Sequence, residues 1–214
     1  MSAQPKTFIS QEEYLRRERL ATYKSEYYQG EIFPLHPTST DEATEITMAG
    51  ARRAHSGINA NVIGGLIVGL RGRTCTVYTN DLRVHIPENT LYTYPDASVV
   101  CGKSEMLDNS FDTLLNPLLI VEVLSDSTEM YDRDTKFQLY RSIASLREYV
   151  LVSQYKYCVQ SYFLNDRNEW VYTDALGLES SLYLASVDVH LALADIYANV
   201  ELPSRPQHRE IRED

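Results

Sequence analysis

The most constraining stretch of the sequence is Pro117-Leu-Leu-Ile-Val-Glu-Val-Leu-Ser125, an apolar run interrupted once, by Glu122. A short continuous apolar run of this kind predicts a central strand covered on both faces. Such a strand needs a layer above and a layer below it. Glu122 adds a chemical demand. An ionised carboxylate inside an apolar strand is costly unless it is paired or coordinates a metal. Taken alone, it is either a position facing a polar pocket or a helix arginine, or a functional group whose partners lie elsewhere in the chain.

The surrounding elements follow from periodicity. Ser10-Gln-Glu-Glu13 reads as a capping box opening a helix to about Thr22. Tyr23 to Leu35 alternates around Gly30 as a hairpin, and His36 to Ala43 is a loop. Glu45 to Met48 reads as a short strand. Ile58, Val62, Ile63, Leu66, Ile67 and Leu70 recur at helical spacing, predicting a helix from Ala51 to about Leu70. Gly64, Gly65 and Gly69 lower its propensity and allow close packing on a sheet. Thr74–Asn80 and Leu82–Ile86 read as one extended run, and Tyr92–Cys101 as its return strand, with a loop from Gly102 to Asn116. Asp126–Ala144 is a helix. Strands follow at Glu148–Ser153, Cys158–Leu164 and Glu169–Thr173, with a short helix near Leu191–Tyr197. The fold class is α/β (α+β), with one mixed sheet flanked by helices.

A length of 214 residues fits one domain. The expected division is a flexible N-terminus at 1–9, a single domain at 10–202 and a flexible tail at 203–214. No apolar run approaches the ~20 residues of a membrane span. Cys75, Cys101 and Cys158 have no zinc-site spacing, and three cysteines in a chain this long do not suggest a disulfide framework. With no secretory leader evident, a reducing cytoplasm is the expected setting. The net charge of −10 speaks against a protein that coats nucleic acid. The acidity is uneven, however. Residues 159–202 carry seven acids against Arg167 alone, whereas residues 50–100 carry five arginines against three acids. Arg52 and Arg53 are the candidate nucleic-acid contacts in that positive stretch, which is otherwise an ordinary solvated helix and its flanks.

A partner for Glu122 stands in Tyr94-Pro95-Asp96, where Asp96 opens the neighbouring strand. Proline is tolerated at a strand start because no ladder donor is lost there. Carboxylates at adjacent strand starts can hold one divalent cation, since Mg²⁺ is bound through one or two carboxylates with water and substrate phosphate completing its shell. The bland alternative for Asp96 is a turn or cap acid.

The ordered set Gly30-Glu31-Ile32, Met48-Ala-Gly50 with His55, Asp81-Leu-Arg-Val84 and Tyr94-Pro-Asp96 continues with Asn116-Pro117, Glu122-Val-Leu-Ser125, Ser127-Thr128, Asp132-Arg133, Lys136, Tyr140 and Glu148-Tyr-Val. This set resembles a bacterial family of restriction-endonuclease-like proteins, the Uma family, labelled a domain of unknown function within the PD-(D/E)XK nuclease superfamily. The likeness runs over residues 10–200. It implies a restriction-endonuclease-like core with a mixed central sheet, plus N-terminal helix and hairpin additions. The superfamily usually carries a lysine two residues after the strand acid, but that position here is Leu124. The resemblance therefore implies that Lys136, on the following helix, supplies the amine. Its bland alternative is an i,i+4 ion pair with Asp132 on an exposed helix face.

By the same resemblance Glu31 approaches the metal from the hairpin. Asp81 and His55 are secondary candidates, read by default as a strand-bend cap and a packing histidine. Ser125, Ser127 and Thr128 suit the N-cap of the Lys136 helix. The implied activity is phosphodiester hydrolysis, with DNA as substrate and Mg²⁺ or Mn²⁺ held by Asp96 and Glu122. Two alternatives stand beside it: a catalytically degraded nuclease fold acting as a binding or assembly module, and a metal-dependent phosphohydrolase acting on a smaller ligand. The tyrosine-rich late strands, with Tyr155, Tyr157, Tyr162 and Tyr172, suit a homodimer interface.

Overall fold

The computed structural model describes residues 8–35, 42–125 and 128–204, with the backbone alone for 42–52. The segment called a loop at 36–43 falls largely outside the described residues, as do Ser127 and most of both expected flexible ends. Ser10 caps α1 (Gln11–Glu18), its side chain accepting from the Glu13 amide. The hairpin β1 (Ser25–Tyr28) and β2 (Glu31–Pro34) turns at Gly30, whose φ of +90° suits glycine. Helix α2 runs from Glu42 to Gly69, so the short strand expected at Glu45–Met48 is instead the first turns of this helix.

The two long runs in mid-sequence each break into two strands. The run expected at Tyr92–Cys101 becomes β5 (Leu91–Thr93) and β6 (Ala97–Cys101), and the run before it becomes β3 (Cys75–Thr79) and β4 (Arg83–Ile86). Both breaks cross from one sheet to another. The five-stranded sheet runs β2-β1-β5-β4-β7, β7 being Thr113–Leu114 within the expected loop. The six-stranded sheet runs β11-β10-β9-β8-β6-β3. Alternation continues through such a corner, so periodicity shows one strand where the fold has two. Pro95 marks the second corner, having no amide for either ladder.

Strand β8 (Leu119–Leu124) is buried throughout and lies between antiparallel β6 and parallel β9 (Glu148–Ser153). The sheet continues through β10 (Cys158–Leu164) to β11 (Trp170–Leu176). The hairpin of β12 (Ser181–Leu184) and β13 (Val189–Ala192) leads into α4 (Leu193–Ile196). One face of the six-stranded sheet packs Val121, Val123 and Val150 against Ile58, Val62 and Leu66 of α2 and Leu184, Val189 and Leu193 beyond. The other face packs Ile120, Leu124, Tyr149 and Leu151 against Val84, Ile86, Phe137 and Tyr140. The expected single mixed sheet is thus two larger sheets, one layered on the other.

The cysteine expectation is overturned. Cys75 and Cys101 form a disulfide, because β3 and β6 pair antiparallel and set them directly opposite, with Cα atoms 4.0 Å apart. Cys158 is free and buried. Among the described residues no helix is long and apolar enough to cross a membrane.

A buried acid cluster around Lys136

The helix expected over Asp126–Ala144 is shorter. It contains a π-helical stretch, Tyr131–Lys136, that runs into α3 (Phe137–Tyr140). Such wider turns are rare and frequent at functional sites. Here the stretch lies over the face of β8 that carries Glu122. Asp132, Lys136 and Tyr140, spaced four apart, all point inward and are 2%, 5% and 0% exposed. The Asp132–Lys136 pair is therefore not the exposed surface pair that its spacing also allowed.

Lys136 Nζ donates to Glu122 Oε1 at 3.0 Å, and the Tyr140 hydroxyl donates to the same oxygen at 2.8 Å. Lys136 Nζ also lies 3.3 Å from Glu26 Oε1 and 3.2 Å from Asp132 Oδ1. The Asp132 contact is an ion pair without hydrogen-bond alignment, since Oδ1 has no hydrogen-bond partner. Glu26 comes from β1, where Thr93 Oγ1 of β5 donates to Glu26 Oε1 at 2.5 Å. On the other side of Glu122, Asp96 opens β6. Its Oδ2 accepts from the Val123 amide at 2.7 Å, while its own amide lies 3.4 Å from Glu122 Oε2. His55 Nε2 of α2 pairs with Asp96 Oδ2 at 3.1 Å, and Asn59, one turn on, donates to the Asp96 carbonyl at 3.3 Å.

The electrostatics follow from this crowding. Glu26, Asp96, Glu122 and Asp132 are all buried around a single lysine. Burial pushes the Glu122 carboxyl up to about 8; the charges of Asp132 and Asp96 add to this, and Lys136 opposes it without prevailing. Burial likewise raises Asp132 against the pull of Lys136. Burial would lower Lys136, but the surrounding Glu122, Tyr140, Glu26 and Asp132 outweigh it and hold its pKa well above the ordinary lysine value. His55 would also be lowered by burial. The hydrogen bond and charge of Asp96, with the charge of Glu122, carry its pKa upward instead. The cluster is thus short of positive charge.

The structure brings together Asp96, Glu122, Lys136 and His55. It does not bring in Asp81, which sits in the β3–β4 turn paired with Lys24 at 2.6 Å, its side chain 83% exposed. Glu31 stands on the edge strand β2 opposite Tyr28, and the hairpin acid that reaches Lys136 is Glu26. Arg53 is exposed and lies 3.4 Å from Glu201; the Arg52 side chain falls outside the described residues. Glu26 gave no signal in the sequence beyond an acid in a four-residue strand. Asp132 and Tyr140 did, because with Lys136 they mark one helical face.

Fit to a divalent cation rests on the donor set. Carboxylate oxygens are hard ligands, and an excess of buried negative charge calls for a cation. Two strand acids with other positions open suit Mg²⁺, which retains water and takes substrate oxygens. Among the described residues no three His, Cys, Asp or Glu side chains are placed to hold a metal together, so the protein offers no closed cage.

Three comparisons relate the chain to known proteins. Residues 11–194 match the family model described as "Uma2: Putative restriction endonuclease". Two uncharacterized proteins of Synechocystis sp. are similar in sequence. One is 36% identical over 165 residues, covering 77% of this chain and 86% of the relative; the other is 34% identical over 191 residues, covering 88% and 91%. A crystal structure from Anabaena variabilis, titled as a putative nuclease belonging to DUF820, superposes with a TM-score of 0.65 at 16% identity. The superposition covers 87% of this chain and 96% of that one, and shows a shared fold. With the family model spanning the helix, hairpin, both sheets and every member of the acid cluster, the chain belongs to the Uma2 family of restriction-endonuclease-like proteins.

Proposed function

We propose that this protein is a metal-dependent nuclease that hydrolyses phosphodiester bonds of DNA. One observation supports the reading: Asp96 and Glu122 stand on adjacent strands, the Asp96 amide donating to Glu122 Oε2 while buried Lys136 donates to Glu122 Oε1. Asp96 and Glu122 would hold Mg²⁺ or Mn²⁺, which when bound polarises a scissile phosphate and lowers the pKa of water. The chain's own groups do the rest. His55 and the Val123 amide fix Asp96 Oδ2. Tyr140 fixes Glu122 Oε1, leaving Oε2 directed toward the Asp96 side. Lys136 supplies a fixed positive charge where negative charge develops on phosphate oxygens, and such preorganised charge acts strongly in a poorly solvated site. Glu26 and Asp132 hold that ammonium in place.

The test is nicking of supercoiled plasmid and cleavage of oligonucleotides with Mg²⁺ or Mn²⁺. Glu122→Gln and Asp96→Asn should each lose about a hundredfold or more in rate, on the scale of removing one stabilising group from an active site. Equal cleavage by either variant would remove that residue from the site. A second reading, a degraded nuclease fold used for binding or assembly, is favoured by the absence of a lysine on β8 and by the three acids already engaging Lys136. Calorimetry separates the two, since that reading expects no Mg²⁺ or Mn²⁺ uptake.

A further inference from the structure

The six-stranded sheet ends at β11, seven residues paired to β10 on one side, with no strand on the other among the described residues. Val171, Tyr172 and Leu176 are 41%, 46% and 58% exposed, and Thr173 and Asp174 are exposed too. Long edge strands are ordinarily blunted by lysine, proline, a bulge or a covering segment. Strand β11 carries neither lysine nor proline, its one charge is Asp174, and its register with β10 is unbroken from Trp170 to Leu176.

The direction of its backbone groups can be read from both ends. The Asn165 amide donates to the Glu169 carbonyl, and the Gly177 amide to the Tyr157 carbonyl. These mark hydrogen-bonded pairs, and such pairs alternate along an antiparallel ladder. Val171, Thr173 and Ala175 therefore turn their amides and carbonyls toward β10. Trp170, Tyr172, Asp174 and Leu176 turn theirs toward the open edge, where the Leu176 carbonyl also accepts from the Ser180 hydroxyl.

We propose that β11 is a homodimer interface, pairing antiparallel with β11 of a second copy about a two-fold axis at Thr173. The choice of partner and register comes from self-complementarity. Centring on Thr173 pairs Trp170 with Leu176 and Tyr172 with Asp174, so every outward backbone group is used. Apolar meets apolar at the ends, and no like charges are opposed. Sliding two residues one way sets Asp174 against Asp174, a directly opposed like-charge pair. Sliding the other way leaves Leu176 without a strand partner. The same antiparallel placement sets Arg167, in a turn that also carries Asp166 and Glu169, opposite Glu179 of the second copy.

The result is one continuous sheet whose two-fold axis stands normal to it. Trp170 packs on Phe137, on the face that carries Glu122, so both acid clusters lie on the same side of the joined sheet. Seven strand spacings separate the two copies of β8, roughly 34 Å along the sheet.

Light scattering on the full chain tests this. The expected mass is about 49 kDa, twice the 24.5 kDa of one chain. Thr173→Asp and Thr173→Lys each place like charges face to face at the axis and should give monomers with unchanged circular dichroism. Mixing the two variants should restore the dimer. Thr173→Cys should cross-link on mild oxidation, because non-hydrogen-bonded partners stand as close as Cys75 and Cys101 do. Tyr172→Cys, facing Asp174, should not. A monomeric wild type overturns the proposal, as does a Thr173→Asp dimer, a mixture that stays monomeric, or cross-linking through position 172 instead of 173. None of these outcomes depends on nuclease activity.

Discussion

Lys136 is the residue on which the cluster turns. It is the one lysine among four buried acids, three of which it contacts directly. Replacing it with methionine should cost about 3–5 kcal/mol in urea unfolding, the range for breaking a buried ion pair from one side. Adding Glu122→Gln to that variant should recover part of the loss. A second residue-scale expectation concerns Asp112, which Arg19 pairs at 2.8 Å and Arg83 at 3.0 Å. The Arg19 hydrogen bond holds its carboxyl down at about 2, below the ordinary 3.8. A depressed carboxyl contributes stability above its unfolded pKa and loses it as pH falls through the folded one. The gap in urea midpoint between wild type and Asp112→Asn should be full above about pH 4 and close as pH falls toward 2. At this scale Glu122 was legible because a carboxylate in an apolar run is conspicuous. Glu26 was not, since an acid in a short polar strand shows its role only through what packs over it.

At the scale of elements, helix α2 shows how three similar glycines differ. A Cβ on Gly69 would come within 2.6 Å of Val189 Cγ1, and one on Gly65 within 2.8 Å of Leu191 Cδ2. Nothing lies within 4 Å of a Cβ on Gly64. Gly64→Ala should therefore stabilise the protein by up to about 1 kcal/mol through helix propensity alone. Gly69→Ala should destabilise it by about 1–3 kcal/mol, because overpacking outweighs propensity. Chemical denaturation of the two variants distinguishes them by sign. The sequence indicated close packing for this helix but not which glycine met the β12–β13 hairpin. That hairpin itself alternates buried and exposed residues in both strands, a signal the sequence does contain. The corner at Asn80–Leu82 carries no such signal, because a strand that changes sheets keeps its period of two, and at Tyr94–Asp96 the mark is Pro95.

For the whole molecule, the charge of −10 opposes a duplex, and the exposed Arg53, one of the two expected contacts, is already paired with Glu201. DNA binding should therefore involve few phosphates. About three contacts predict a loss of roughly tenfold to a hundredfold between 50 and 200 mM salt, measurable by fluorescence anisotropy with the cleavage-deficient Glu122→Gln protein. A flat salt response would place recognition elsewhere than in phosphate contacts. By itself the sequence determined the buried strand at 119–124, the capped first helix and the second helix from Ala51 onward, though not its start at Glu42. Each of these is written in local periodicity or in one residue that violates it. Tertiary structure alone decided that the two mid-sequence runs would split between sheets. It also decided that Cys75 would meet Cys101, and that Glu26, 110 positions before Lys136, would share its ammonium. Those outcomes depend on which surfaces pack together across the chain, and a contact between distant residues leaves no period in either segment.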